Sequence, residues 1–347
     1  MKFRLAAALA VAGCIAVPLV DARQTPDIGS PFAAPPVEEP SPARAGSAEP
    51  YLSVDRGGVV RLSWLETREA GGHRFRVSAY QGSQWSQPVT IAEGDNFIAN
   101  WADVPSVFST SQDTLAAHWL ERGTSRGSYP VRLQTSPDGG KTWTPAATPY
   151  ALDSPGEHGF ASFFDAPGSG LGLVWLDGRQ AVERGGSMSL RAAMVADGRP
   201  GEETVVDPRV CDCCPTSTAR TDRGVIVAYR DRTADEVRDI SVTRYVDGRW
   251  TTPVTVAADG WQINACPVNG PAVAASGRTV AVAWFTLGGG GTPRARVAFS
   301  ADGGETFGSP VDVHIGVTYG RLGLVMPDAD RVVVSSIERH ADGTRIV

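Results

Sequence analysis

Apolar runs of strand length recur along this chain at a nearly constant interval, each closed by an aromatic residue and, two positions on, an acid. They read Val59-Val-Arg-Leu-Ser-Trp64-Leu-Glu66, Leu115-Ala-Ala-His-Trp119-Leu-Glu121, Leu171-Gly-Leu-Val-Trp175-Leu-Asp177 and Val225-Ile-Val-Ala-Tyr229-Arg-Asp231. Two further copies are degenerate: Val280-Ala-Val-Ala-Trp284-Phe-Thr286 lacks the acid, and Arg331-Val-Val-Val-Ser-Ser336-Ile-Glu338 lacks the aromatic. The anchor positions 64, 119, 175, 229, 284 and 336 lie 55, 56, 54, 55 and 52 residues apart. A period of this size, built on strand-length runs with no sustained helical periodicity, predicts an all-β propeller of six four-stranded antiparallel blades.

One period shows how the strands divide. In the second, Ser106–Ser109 is expected as the inner strand, Leu115–Leu120 as the next, Pro130–Thr135 as the third and Ala146–Tyr150 as the outer one, where an edge tolerates Pro149. The third and fourth strands are joined by Ser136-Pro-Asp138-Gly-Gly140-Lys-Thr-Trp143, and the same hairpin returns as Ser300-Ala-Asp302-Gly-Gly304-Glu-Thr-Phe307. A looser copy is Tyr245-Val-Asp247-Gly-Arg-Trp250. In each, Asp bonds the turn backbone, Gly supplies positive φ and the aromatic packs beneath the hairpin. At these residues the chain resembles the Asp-box (BNR-repeat) propellers of the sialidase-like superfamily, a resemblance that spans roughly residues 49–347. It implies that the boxes are structural turns on the face opposite the ligand site. The sixth copy ends at Val347 after three strands, so the last blade is expected to be incomplete or closed by the segment before Tyr51.

The N-terminus changes the picture of where this ring works. Met1-Lys-Phe-Arg4 followed by the apolar Leu5 to Val20 reads as an export signal over residues 1–22. Val11-Ala12-Gly13-Cys14 fits a lipobox and Val20-Asp21-Ala22 fits an ordinary signal-peptidase site, so periplasmic, secreted and lipid-anchored forms are all expected. Residues 23–48 are Pro-rich and read as an extended linker. A net charge of −6 with scattered arginines offers no basic stripe and argues against nucleic acid as a partner.

Removing Cys14 leaves Cys211, Cys213, Cys214 and Cys266, an even number in an oxidising compartment. The repeat places the trio at the entrance of blade 4 and Cys266 at the entrance of blade 5, near the axis on the face opposite the boxes, with Cys266 a neighbour of Cys213 or Cys214. Two expectations follow: disulfides pinning the two blades, or thiolates of all four with His158 as a further ligand holding Cu(I) or Zn(II). The same face gathers the acids Glu66, Glu121, Asp177, Asp231 and Glu338, together with Asp103, Asn269, Tyr319 and Arg321. These acids either serve a ligand or pair with nearby arginines such as Arg68, Arg122, Arg179 and Arg232.

The favoured reading is a binding protein with a Cys-rich, metal-holding pocket for a small ligand, metal ion or glycan. The resemblance implies the alternative, a sialidase-type glycoside hydrolase that clamps a carboxylate with three arginines and attacks with a Tyr. Its candidate residues are Arg230, Asp231, Arg232, Tyr319 and Arg321. The family's first-strand Arg motif is absent, since Tyr51-Leu-Ser-Val54 carries no Arg. A protein-interaction scaffold is the third expectation.

Overall fold

A computed structural model describes residues 37–347 apart from 111–113, 125–126, 167, 169 and 183–185. The export signal, both processing sites and most of the linker lie outside the described residues. From Ala48 onward the chain forms six antiparallel sheets in sequence order, the blades of a propeller. Each expected anchor falls on the second strand of its blade: Val60–Thr67, Leu115–Leu120, Gly170–Asp177, Gly224–Arg230, Thr279–Thr286 and Arg331–His340. In blades 2 to 5 these strands are covered on both faces by neighbouring blades, which is why they read as continuous apolar runs rather than alternating ones. Trp64, Trp119, Trp175, Trp284 and Tyr229 are among the largest fully buried side chains.

The residue two places beyond each anchor points to the same side of its strand, and this explains the paired aromatic and acid. The indole of Trp119 donates to Glu121 at 2.9 Å and that of Trp175 to Asp177 at 3.0 Å. Blade 5 has Thr286 where the acid would be, and Trp284 donates instead to Asp259 at 2.6 Å. A buried indole N–H without an acceptor is costly, so in blades 2 and 3 the acid of the repeat is part of the core; in blade 1 the Trp64 N–H has no acceptor among the described residues, and in blade 4 Tyr229 donates to Asp207 rather than to Asp231.

Both full Asp-boxes form the expected turns. Asp138 accepts from the backbone of Lys141 and Thr142 and from the hydroxyls of Ser136 and Thr142. Asp302 repeats this with Glu305, Thr306 and Ser300. Gly304 sits at φ +88°, and a Cβ there would lie 2.4 Å from Ile226 Cδ1 in the preceding blade. Gly304→Ala is therefore expected to cost about 2 kcal/mol in urea denaturation; a change below about 0.5 kcal/mol would contradict the packing described.

Five apolar clusters seal the junctions between consecutive blades, from blades 1 and 2 around to blades 5 and 6. Among the described residues no such cluster joins blade 6 to blade 1. Tyr51, Leu52 and Val54 of the first inner strand and Val325 of blade 6 are exposed. Blade 6 has three strands, Thr318–Asp328, Arg331–His340 and Gly343–Ile346, as the truncated last repeat leads one to expect. One expectation needs correction: the outer strand of blade 2 is not a strand over 146–150 but a single bridge between Leu133 and Ala147.

Candidate functional site

The inner strands of the blades begin on the face opposite the Asp-boxes, and several carry a residue forced to positive φ near that start: Glu49 (53°), Phe160 (51°) and Arg321 (55°). Each lies within a register shift of its strand pairing, a bulge that turns a side chain away from the ladder. Non-glycine residues held in this region are strained, and such strain gathers at functional sites. Val268, just before the blade 5 inner strand, adopts the same conformation.

Arg321 is the cation this geometry presents. Its backbone N–H donates to Asn269 Oδ1 at 2.9 Å, and Asn269 Nδ2 donates to the carbonyl of Tyr319. The preceding Gly320 is required, because a Cβ there would meet Asn269 Oδ1 at 2.2 Å. The guanidinium lies 4.3 Å over the ring of Trp101, a largely exposed indole in the loop entering blade 2. Its Nη2 is buried with no hydrogen-bond partner among the described residues. Burial pulls the Arg321 guanidinium below its ordinary value.

Asp103 closes the same loop two residues after Trp101. Its carboxylate accepts the Phe160 N–H at 2.7 Å, and Gly159 allows the approach, since a Cβ there would lie 2.0 Å from Asp103 Oδ2. Burial pushes the Asp103 carboxyl up to about 7, partly opposed by the Phe160 N–H. A carboxyl poised near neutrality can hold or release a proton under working conditions. The sequence places Asp103 on this face but carries no signal that distinguishes it from the other acids.

The other proposed arginines are occupied. Arg230 is buried and donates to three backbone carbonyls, those of Asn269 (2.9 Å), Arg238 (2.6 Å) and Phe285 (2.7 Å), with its guanidinium 4.8 Å over the Trp261 ring. Arg232 is bound by Glu236 at 2.8 Å and Asp212 at 2.7 Å. A three-arginine clamp is therefore not assembled, because two of its members already have partners. Tyr319 is about half exposed and sits beside Arg321 in the chain.

The face's acids are largely paired, though with few of the expected arginines. Glu66 lies 3.6 Å from Arg76 and Glu121 3.5 Å from Arg132, while Asp177 binds Arg179 at 2.7 Å as anticipated. Glu338 pairs with His314. Asp231 accepts from Ser241 and from the Arg232 backbone, and burial, then Asp207, raises its carboxyl above the ordinary value.

The cysteines do meet. Cys213 and Cys266 form a disulfide with Cα atoms 5.9 Å apart, tying blade 4 to blade 5. Cys211 and Cys214 are buried free thiols with sulfurs 3.2 Å apart, and Arg238 Nη1 donates to Cys211 Sγ at 3.3 Å. The Cys214 thiol, aided by Arg238, pulls Cys211 down to about 6 against its burial. Burial pushes Cys214 up. The sulfurs of Cys211, Cys213 and Cys214 lie within 4.8 Å of one another. His158 is not in that group: it is buried against Asp177, 3.3 Å from Nδ1, and its ring centroid is 4.1 Å from that of Tyr150. With Cys213 and Cys266 joined, two thiols remain, and a four-thiolate site requires that bond to be reduced.

At the opposite end of the axis a pocket of about 160 Å³ is lined by inner-strand residues including Val54, Phe108, Phe164 and Ala219. Of its charged residues, Asp165 pairs with Arg220 at 2.9 Å and Asp55 with Arg61 at 2.6 Å.

No protein-family model and no curated protein matches this sequence. Solved structures do match in shape. A protein of unknown function from Dyadobacter fermentans superposes with TM-score 0.54 at 16% identity, covering 86% of this chain and 93% of its own. The α-L-arabinofuranosidase of Fusarium graminearum complexed with arabinobiose gives 0.53 at 14% identity, covering 89% and 95%. The same organism's α-L-arabinofuranosidase with an iminosugar inhibitor gives 0.53 at 13%, covering 87% and 92%. The likeness at these identities is one of fold, the six-bladed β-propeller.

Proposed function

We propose that the chain acts on a glycan at the face where its inner strands begin, with Asp103 handling the proton and Arg321 contacting an acidic group of the sugar. The observation that carries this reading is the Trp101 loop, which holds the near-neutral buried carboxyl of Asp103 and sets its exposed indole against Arg321 of blade 6, an arginine with no carboxylate partner among the described residues. In its protonated form Asp103 supplies the proton that a glycosidic oxygen needs as its bond breaks. An exposed indole is a stacking platform for a sugar ring. The shared fold supports the same class, since two of the matching structures are arabinofuranosidases. With Arg230 and Arg232 already held and only Arg321 of the three candidates without a carboxylate partner among the described residues, the arrangement favours a substrate bearing an isolated acidic sugar over the sialidase clamp. Export to an oxidising compartment, expected from the N-terminal pattern, suits the Cys213–Cys266 disulfide.

The test is release of reducing ends from arabinan and from uronate- and sialate-bearing glycans. Arg321→Ala is expected to raise KM on the acidic substrates by about tenfold or more, the scale of one lost charge-assisted contact, while leaving neutral ones near wild type. Absence of both cleavage and binding across the panel, or equal behaviour of Arg321→Ala on acidic glycans, would refute the reading.

The sulfur cluster supports a second reading. Once the Cys213–Cys266 bond is reduced, Cys211, Cys213, Cys214 and Cys266 offer soft ligands suited to Cu(I) or Zn(II). Metal analysis of the reduced protein, with a stoichiometry near one expected, decides it.

A further inference from the structure

The glycan reading leaves the sulfur group without a role, and its arrangement is unlike a pair of inert crosslinks. A disulfide and a dithiol are packed side by side, and they differ in access. Cys266 is exposed and Cys213 half-buried, whereas Cys211 and Cys214 are shut away from solvent at 0% and 1% exposure. Buried thiols have no direct route to an oxidant or reductant in solution. The Cys213 sulfur, within 4.8 Å of both, is such a route.

We propose that Cys211 and Cys214 are a redox-active dithiol that exchanges with the Cys213–Cys266 disulfide, so that the crosslink migrates between the blade 4–5 junction and the interior of blade 4. The exchange proceeds by thiolate attack on a disulfide sulfur. The Cys211 thiolate attacks Cys213 Sγ, the Cys213–Cys266 bond breaks, and Cys266 departs as a thiolate that takes up a proton from water. The Cys214 thiol then loses its proton and attacks Cys211 Sγ; the Cys211–Cys214 bond forms and Cys213 departs as a thiolate. One disulfide is consumed and one is made, so the oxidant is the Cys213–Cys266 bond itself.

Geometry selects the participants. Cys211 is the attacking residue because the Arg238 guanidinium contacts its sulfur and stabilises the anion. Cys214 is poorly placed to begin, since bonding to the adjacent Cys213 would close a strained vicinal ring. It is well placed to finish: its sulfur is 3.2 Å from that of Cys211, and closing to a bond length of about 2.05 Å takes a movement of about 1 Å. The outcome reaches the ligand face. Releasing Cys266 frees the segment that carries Asn269, whose side chain holds the Arg321 backbone. The proposal does not depend on which glycan, or whether any glycan, is bound.

The experiment uses the full chain with a chelator present, brought to one disulfide per molecule in a glutathione buffer so that two thiols remain besides Cys14, acid-quenched, alkylated and mapped by peptide mass spectrometry. In the wild type, alkylated Cys266 and a Cys211–Cys214 disulfide are expected alongside the starting pattern. Cys211→Ser is expected to lower Cys266 alkylation by about tenfold or more, and Cys214→Ser to accumulate the Cys211–Cys213 bond. Free thiols confined to Cys211 and Cys214 in the wild type would overturn the proposal, and that measurement requires no variant to fold. Cys266 alkylation indifferent to Cys211→Ser would overturn it as well.

Discussion

Arg230→Ala is expected to lower the free energy of unfolding by about 4 kcal/mol, a loss at the upper end of what single substitutions produce. The reason is geometric. The guanidinium is buried between blades 4 and 5, and its three donors satisfy carbonyls of Arg238, Asn269 and Phe285, which belong to three separate segments. Deleting it strands those carbonyls away from water and leaves the face of Trp261 without its cation. Arg230→Lys should recover little, because one ammonium cannot reproduce a planar fork aimed in three directions. Urea denaturation of the two variants checks this; a loss below about 1 kcal/mol for alanine, or full recovery by lysine, would mean that the fork is not the joint described here.

Asp103→Asn is expected to stabilise the protein at pH 8 while removing the proposed activity. The folded-state value of Asp103 is raised to about 7 from an ordinary value of 3.8. A group raised in this way contributes stability below its unfolded value and loses it as pH climbs through the folded one, so between about pH 4 and 7 the Asp103 contribution falls with rising pH. Asparagine keeps an acceptor for the Phe160 N–H and never ionises, which should return on the order of 3 kcal/mol at pH 8 and little at pH 4. His118 works in the opposite sense: burial lowers it to about 4, so the stability it lends is complete above about pH 6.5 and is lost as pH falls toward 4. Wild-type stability should therefore be flat between about pH 4 and 6.5 relative to Asp103→Asn, whose stability should rise over that range and, with the Cys211 thiol lowered to about 6, not fall toward pH 8. Urea midpoints at pH 5, 6.5 and 8 are sufficient; an unchanged midpoint at pH 8 would show that the carboxyl is not desolvated as drawn. A residue whose removal strengthens the fold and silences the activity has been kept for function.

Much of the architecture was legible because it is periodic. Anchors such as Trp175 recur with the strand that buries them, and a turn such as Ser300 to Phe307 is specified by its own residues. The meeting of Cys266 with the blade 4 trio followed from topology, but whether Cys213 or Cys214 would take it depends on which sulfur faces the axis. The roles of Arg230 and Arg232 were not legible. Which carbonyls and carboxylates surround a side chain is decided by segments far away in sequence, such as Phe285, 55 residues from Arg230. Asp103 was hidden for the same reason: its acidity is set by burial against residues near Phe160. In blades 2 and 3 the acids of the repeat carried a clue that was local, since Glu121 and Asp177 each accept from the indole two places before them.

The unsealed meeting of the first and last sectors makes this molecule a split washer. Among the described residues no apolar cluster bridges that split, so least packing resists flexing there. Arg321 rides on the last sector and rests on Trp101, which lies beyond the first, so their stack spans the split like a hasp. An acidic molecule of the kind proposed above, drawing Arg321 off the indole, would unfasten that hasp.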